Sequence, residues 1–518
     1  MLDEGLYQVV GKHCSCRRIG GTEVGVWEKT RLGVDGKIAA LLVCLVTVTR
    51  LPFLTRMLYN WDSANFALAL RHFDVTRHQP HPPGYFYYVN LGRLFDVFLG
   101  DANASFVAES VLFSILAVVA VYYLGRAMFD RPTGFIAALF LAFSVTFWSY
   151  GTIALPYVSL AFFSAAAAFF AYGVIFQKRD YIVPLSAVYA IGGGFRPDLL
   201  LFLAPLWLAS VWRQFRDLSV VDTKARRRRF GQGLAAVFVV AFGFLLWFVP
   251  TIWLSGGLMA YIAVFTAYTN VDVMQKYSVM QNGLSALYVN VRDTLSYLFY
   301  GLYATSGALA LGVVLKAARR GSWLTPRGVF IAGWVAPMAL FYTWVHVGDP
   351  GYVFTILPAM VILAARSALM LGGATNRAPA LGAITVLILA ANILIFSFYP
   401  RLLTLQGIRQ NDNAIASKIA YIKGHYPPGS VLLVSYDLYR HLVYYLPQYD
   451  SLWLDVYARG ERETALPPGV ERIVLVDERL KALSPTAQEV DLPYGKLFTL
   501  PAKPGDRVLY GGDHIVNK

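Results

Sequence analysis

RRRRFGQGLAAVFVVAFGFLLWFVPTIWL, residues 226–254, joins four consecutive arginines to an uncharged apolar run. The run is about as long as a helix needs to cross a bilayer, roughly 20 residues. A helix on the surface of a soluble protein shows one apolar stripe. This run is apolar on every side of a 3.6-residue period, so its surroundings are lipid or other helices of the same kind. The arginines before it mark a cytoplasmic border, because short cytoplasmic loops collect Lys and Arg.

Working outward, similar runs begin near residues 38, 106, 134, 157, 181, 199, 295, 329, 353 and 379, each broken by charge, Pro or Gly. With the run near 233 this makes about 11 spans. Of the 518 residues, 57% are hydrophobic and 15% charged, and mean hydropathy is +0.51. An ordinary soluble domain has about 25% charged residues. The reading is a mainly α, polytopic transmembrane helical bundle. The net charge of +14 would suit nucleic acid. Most of the basic residues before Tyr399, however, lie in the short breaks, as membrane topology requires. Cys14 and Cys16 fall in the N-terminal tail and Cys44 in the first run, which implies no disulfide framework.

Alternate breaks hold the cations: Arg126 and Arg131; Lys178 and Arg179; Arg213, Arg216, Lys224 and Arg226 to Arg229; Lys316, Arg319, Arg320 and Arg327; Arg366 and Arg377. These face the cytoplasm, so the intervening breaks face outward. The domains expected are a cytoplasmic tail (1–37), a transmembrane unit (38–399) and an extracytoplasmic α/β domain (400–518). The first run lacks a cleavage site and is read as a retained anchor. Within the transmembrane unit, a first outer loop (58–104) carries two amphipathic helices, one from Ala64 to Phe73 and one over the aromatic stretch Phe86 to Phe98. In the last domain a helix from Asn411 to Lys423 precedes strands at Val431–Val434, Ser451–Leu454, Ile473–Val476 and Val508–Tyr510. A bacterial inner membrane is the expected location.

Polar chemistry gathers in three outward breaks. Asp62 stands one or two turns after the first span, where partial desolvation makes a carboxylate a better proton acceptor; as an N-cap of the following helix it would be merely structural. Downstream, HPPGY fixes His81 and Tyr85 in a rigid turn. In GGGFRPDLLLF, Pro197 breaks the helix between Arg196 and Asp198, and the planar fork of Arg196 suits a phosphate. In WVHVGDPGYVF, a turn brings His346, Asp349 and Tyr352 together. The break from Ser255 to Asp293 adds Tyr261, Tyr268, Lys276, Tyr277 and Arg292, which could line a groove for a carrier or anchor the interface; for its tyrosines anchoring is the reading taken.

At these residues the chain resembles the GT-C superfamily of polyprenyl-phosphate-sugar-dependent glycosyltransferases, of the protein mannosyltransferase and aminoarabinose transferase type. The resemblance covers about residues 36–400 and rests on the order of Asp62, HPPGY, Arg196 and HVGDPGY followed by TILPA. It implies an inverting transfer of sugar from a polyprenyl-phosphate donor to an acceptor hydroxyl on a protein, lipid or glycan. Asp62 would be the general base, and Arg196, then His346, then Arg292, would hold the donor phosphate. Relatives often carry a second acid beside Asp62 or after the third span, where this chain has Ser63 and AlaLeuProTyr at 154–157. Asp198 or Asp349 could replace it. No cofactor is expected, and a divalent metal is the less favoured option. The rival reading is a lipid-linked sugar flippase, but no internal repeat of the kind transporters show is visible.

Overall fold

The computed structural model describes residues 33–216, 222–318, 322, 324–374, 378–401, 403–454, 462–503, 506–511 and 514–517. Most of the expected cytoplasmic tail, with Cys14 and Cys16, and also Arg319, Arg320 and Arg377, lie outside the described residues. The helices are α1 (Val34–Arg50), α2 (Trp61–Arg71), α3 (Phe86–Leu99), α4 (Ala102–Met128), α5 (Arg131–Ala142), α6 (Val145–Tyr150), α7 (Tyr157–Gln177), α8 (Ile182–Phe195), α9 (Asp198–Arg216), α10 (Thr223–Leu254), α11 (Leu258–Tyr268), α12 (Gln275–Tyr277), α13 (Val279–Leu302), α14 (Ala304–Ala318), α15 (Pro326–Trp344), α16 (Leu357–Ala374), α17 (Ala378–Phe398), α18 (Leu405–His425) and α19 (Tyr439–Tyr445).

Every expected apolar run is helical, and most begin within a few residues of the position read from sequence. By length and composition, α1 with the short turn that continues it, α4, α7 and α10 are each able to cross a membrane; α13 and α14 qualify together as one span bent by 108°. The other runs give shorter or less apolar helices. The run beginning near 134, for example, stops at Ala142 and resumes as α6. The run read from about 295 is a correction: helical structure spans Val279–Leu302 with a kink at Gly283, where φ is 61°, and the chain breaks again at Tyr303, where φ is 39°. Of the polar residues that made 279–293 look like a loop, Asn290 is buried and bonded to neighbouring segments, while Gln281, Asn282 and Ser285 are exposed. The Asn290 amide donates to Tyr277 O at 2.9 Å and Thr343 O at 3.3 Å. The outward break from Ser255 is therefore built of helices, α11, a π-helical turn (Thr269–Met274) and α12.

Beyond α17, strands β1 (Val431–Ser435), β2 (Asp450–Trp453), β3 (Arg462–Ala465), β4 (Arg472–Leu475), β5 (Gln488–Asp491), β6 (Lys496–Pro501), β7 (Arg507–Gly511) and β8 (His514–Asn517) follow. One sheet runs β2-β1-β4-β6-β5, with β1 parallel to both its neighbours; a second runs β3-β7-β8. Side chains alternate across β1 as the two-residue period of a strand requires. Val431 and Leu433 pack against Ile415, Ile419 and Ile422 of α18, while Leu432 and Val434 pack on the other face with Phe498 and Leu500. This α/β region is bonded to the chain just ahead of α2. Asp412 on α18 accepts from the Arg56 and Met57 backbone N–H groups at 3.0 and 2.7 Å. On α19, the Tyr445 hydroxyl accepts from Leu58 N at 2.9 Å, and His441 Nε2 lies 3.0 Å from Leu58 O.

Candidate active site

The loop 58–104 places its acid in an unexpected register. Helix α2 begins three residues before the expected Ala64, because Asn60 caps it: the Asn60 side chain accepts from Ser63 N at 3.1 Å. Asp62 is thus left in the first helical turn with its carboxylate free of the capping role that sequence alone allowed it, and a third of its side-chain surface is open. Its Oδ1 lies 3.5 Å from His81 Nδ1, and His81 Nε2 lies 3.2 Å from the Tyr85 hydroxyl. Both partners are held by HPPGY. Gly84 takes a φ of +121°, and a side chain there would also meet Thr251 Cγ2. Burial pushes the His81 imidazole toward its neutral form, against the pull of Asp62.

The break between α8 and α9 supplies the cation. Arg196, 5% exposed, donates from Nε to Asp198 Oδ2 at 2.8 Å. Its guanidinium carbon sits 3.9 Å from the Tyr352 ring centre and 5.3 Å from that of Tyr157. One terminal nitrogen, Nη1, is buried with no hydrogen-bond partner among the described residues. A buried donor without an acceptor costs about 1–3 kcal/mol, more when charged.

The third cluster closes the site. Asp349 caps the short turn Pro350–Thr355 by accepting from Gly351 N at 2.7 Å, and the Tyr150 hydroxyl donates to the same oxygen. Burial, helped by repulsion from Asp62, pushes the Asp349 carboxyl up to about 6 against the hydrogen bonds that favour its ionised form. Two acids and Arg196 therefore share one field. His346 packs its ring 4.4 Å from Tyr277 and 5.6 Å from Tyr352. Burial and the nearby Arg196 push its imidazole down to about 4. Arg292 stands apart: 55% exposed, it pairs with its neighbour Asp293 at 2.7 Å.

Sequence reading missed the aromatic wall. Tyr150 and Tyr157 sit in apolar runs that announce no chemistry, and Tyr268, taken for an anchor, packs 6.1 and 6.3 Å from His78 and His81. Tyr261, also taken for an anchor, donates to Pro83 O at 3.0 Å. Among the described residues no group of three or more His, Cys, Asp or Glu side chains is arranged to hold a metal ion.

No family model and no curated protein matches the sequence. Among solved structures, ArnT from Cupriavidus metallidurans in the apo state is similar at a TM-score of 0.56 with 12% identity, over 90% of this chain and 98% of that one. The same enzyme bound to undecaprenyl phosphate gives 0.55 and 13% over the same shares. The oligosaccharyltransferase AglB from Archaeoglobus fulgidus, in complex with an inhibitory peptide and a dolichol-phosphate, gives 0.47 and 11%, over 85% of this chain and 69% of that one. The chain shares the ArnT fold along nearly its whole described length.

Proposed function

From that shared fold, we propose that this chain is an integral membrane glycosyltransferase that moves a sugar from a polyprenyl-phosphate donor to an acceptor hydroxyl. The observation that carries the reading is the combination of a carboxylate not used as a helix cap, Asp62, with a buried guanidinium, Arg196, whose Nη1 has no partner among the described residues. In the reaction, the acceptor oxygen attacks the anomeric carbon while the bond from that carbon to the phosphate oxygen breaks. Its electron pair leaves on the phosphate. The acceptor proton goes to Asp62, and attack from the face opposite the phosphate inverts the anomeric centre. Arg196 faces the charge that grows on the leaving phosphate, in a setting where Tyr352 and Tyr157 keep water from its faces. Asp349, fixed by Tyr150 and Gly351, takes the place of the second acid and balances the positive charge of an oxocarbenium-like transition state. The arginine-rich connections place the opposite helix ends in the cytoplasm, so the reaction centre faces the outside of a bacterial inner membrane.

The test is direct. Purified protein in lipid nanodiscs is incubated with radiolabelled polyprenyl-phosphate sugars, one at a time, together with crude envelope extract. Labelled product from at least one donor, and release of free polyprenyl phosphate, is the expected result. If no donor yields product, and the same protein reconstituted in vesicles carries the donors across the membrane unchanged, the chain is a flippase.

A further inference from the structure

Helix α19 brings one cation to the rim of the site from outside the helical bundle. The Arg440 guanidinium carbon lies 5.5 Å from the Trp61 ring centre and 6.0 Å from that of Tyr439. One Nη donates to Arg77 O at 3.3 Å, and Nε is buried with no partner. Among the described residues no acid forms an ion pair with Arg440, whereas Arg479 of the same region pairs with Asp437. Trp61 immediately precedes Asp62, and His78 lies within electrostatic reach of both Asp62 and Arg440. The cation is therefore close to the proposed base, and among the described residues its Nε has no acceptor.

Aromatic surface surrounds it. The Trp61 ring centre is 5.9 Å from that of Trp453, at the end of β2, and 6.2 Å from that of Tyr439. Trp453 remains 43% exposed. A cation–π staple that only pinned α19 to α2 would need Trp61 and Tyr439. It would leave unexplained both the open face of Trp453 and the unused Nε. Aromatic faces stack on the C–H faces of sugar rings, and a guanidinium with free donors binds phosphate or carboxylate.

We propose that the C-terminal region supplies the acceptor half of the site, in which Trp61, Tyr439 and Trp453 hold a saccharide ring and Arg440 binds an anionic group that the saccharide carries. This rests on the glycosyl-transfer reading of Asp62, but it is tested without donor or turnover, so either can fail alone. The full chain is reconstituted in phosphatidylcholine nanodiscs, avoiding sugar-based detergents. Saturation-transfer NMR then reads the binding of glucose 6-phosphate, glucuronate and glucose. Both anionic sugars should bind through their ring protons and glucose far more weakly. Arg440→Gln should weaken the anionic sugars by about tenfold, with Arg440→Lys between it and the wild type. Trp453→Ala, at an exposed position that folding tolerates, should lose the ring-proton signals. Glucose binding as well as glucose 6-phosphate, or unchanged binding in both Arg440→Gln and Trp453→Ala, would overturn the proposal. In a second set of nanodiscs containing phosphatidylglycerol, loss of all sugar binding would show that the site takes a lipid headgroup, which also overturns it.

Discussion

Changing Arg196 to Gln removes the site's buried cation and strands its partner. Asp198 keeps one oxygen buried without a bond, and 23% of its side-chain surface is open, so some of the cost is relieved by water. Breaking a buried pair by deleting one member costs about 3–5 kcal/mol, and partial exposure places this case near the lower end. The double variant Arg196→Gln with Asp198→Asn leaves no unpaired charge and should recover most of that stability. Catalysis should not recover. Loss of a donor aimed at developing negative charge lowers rates by about 10²–10³, and neither amide restores it. Thermal unfolding in nanodiscs gives the first quantity. Steady-state kinetics with donor and acceptor varied separately give the second, and kcat/KM for the donor should fall alike in single and double variants while acceptor KM changes little. A double variant that regained rate together with stability would show that Arg196 serves only the fold, and the phosphate role would be withdrawn.

Three further outcomes follow from the geometry. Asp349 is half protonated near pH 6, so transfer should decline as pH falls through about 6, and Asp349→Asn, which keeps the acceptor for Tyr150 and Gly351, should lower the rate and abolish that acid limb. The stability effect has the opposite sign: a carboxyl raised from 3.8 to about 6 binds its proton more tightly in the folded state. Ionising it costs at most about 3 kcal/mol above pH 6, a cost absent below about pH 4, so a melting series should show wild type gaining on Asp349→Asn as pH drops. Asp412→Ala removes the acceptor shared by the Arg56 and Met57 N–H groups; it should cost about 2–4 kcal/mol and speed limited proteolysis between α17 and β1, and an unchanged digestion rate would rule out this anchor.

The membrane character and the order of the helices were legible because apolar runs and charged breaks are one-dimensional signals. Strands β1, β2, β4 and β7 were legible for the same reason, each a short apolar run between Gly, Pro or charge. What sequence could not show was which polar residues are satisfied internally. Gln281, Asn282 and Asn290 read as a loop, yet they lie on α13, where the Asn282 and Asn290 amides bond neighbouring carbonyls. Asp62 looked equally fit to cap a helix or to accept a proton, and the bond from Ser63 to Asn60 shows that Asn60 is the cap. Asp62, Arg196 and Asp349 stood out in the sequence because charge beside a membrane is costly and therefore conspicuous. Tyr150 and Tyr157 went without a role, and Tyr268 was read as an anchor, because an aromatic in an apolar run is ordinary. Arg440 was invisible for a further reason: a seven-residue helix late in the chain gives no hint that it meets α2.

The central claim is that Asp62 removes the acceptor proton at a centre built around Arg196. It is tested most directly by single-turnover transfer with Asp62→Asn, which changes charge and almost no volume. Polyprenyl-phosphate sugar should bind the variant with wild-type affinity while labelled product fails to form. Product formation at the wild-type rate would contradict the account.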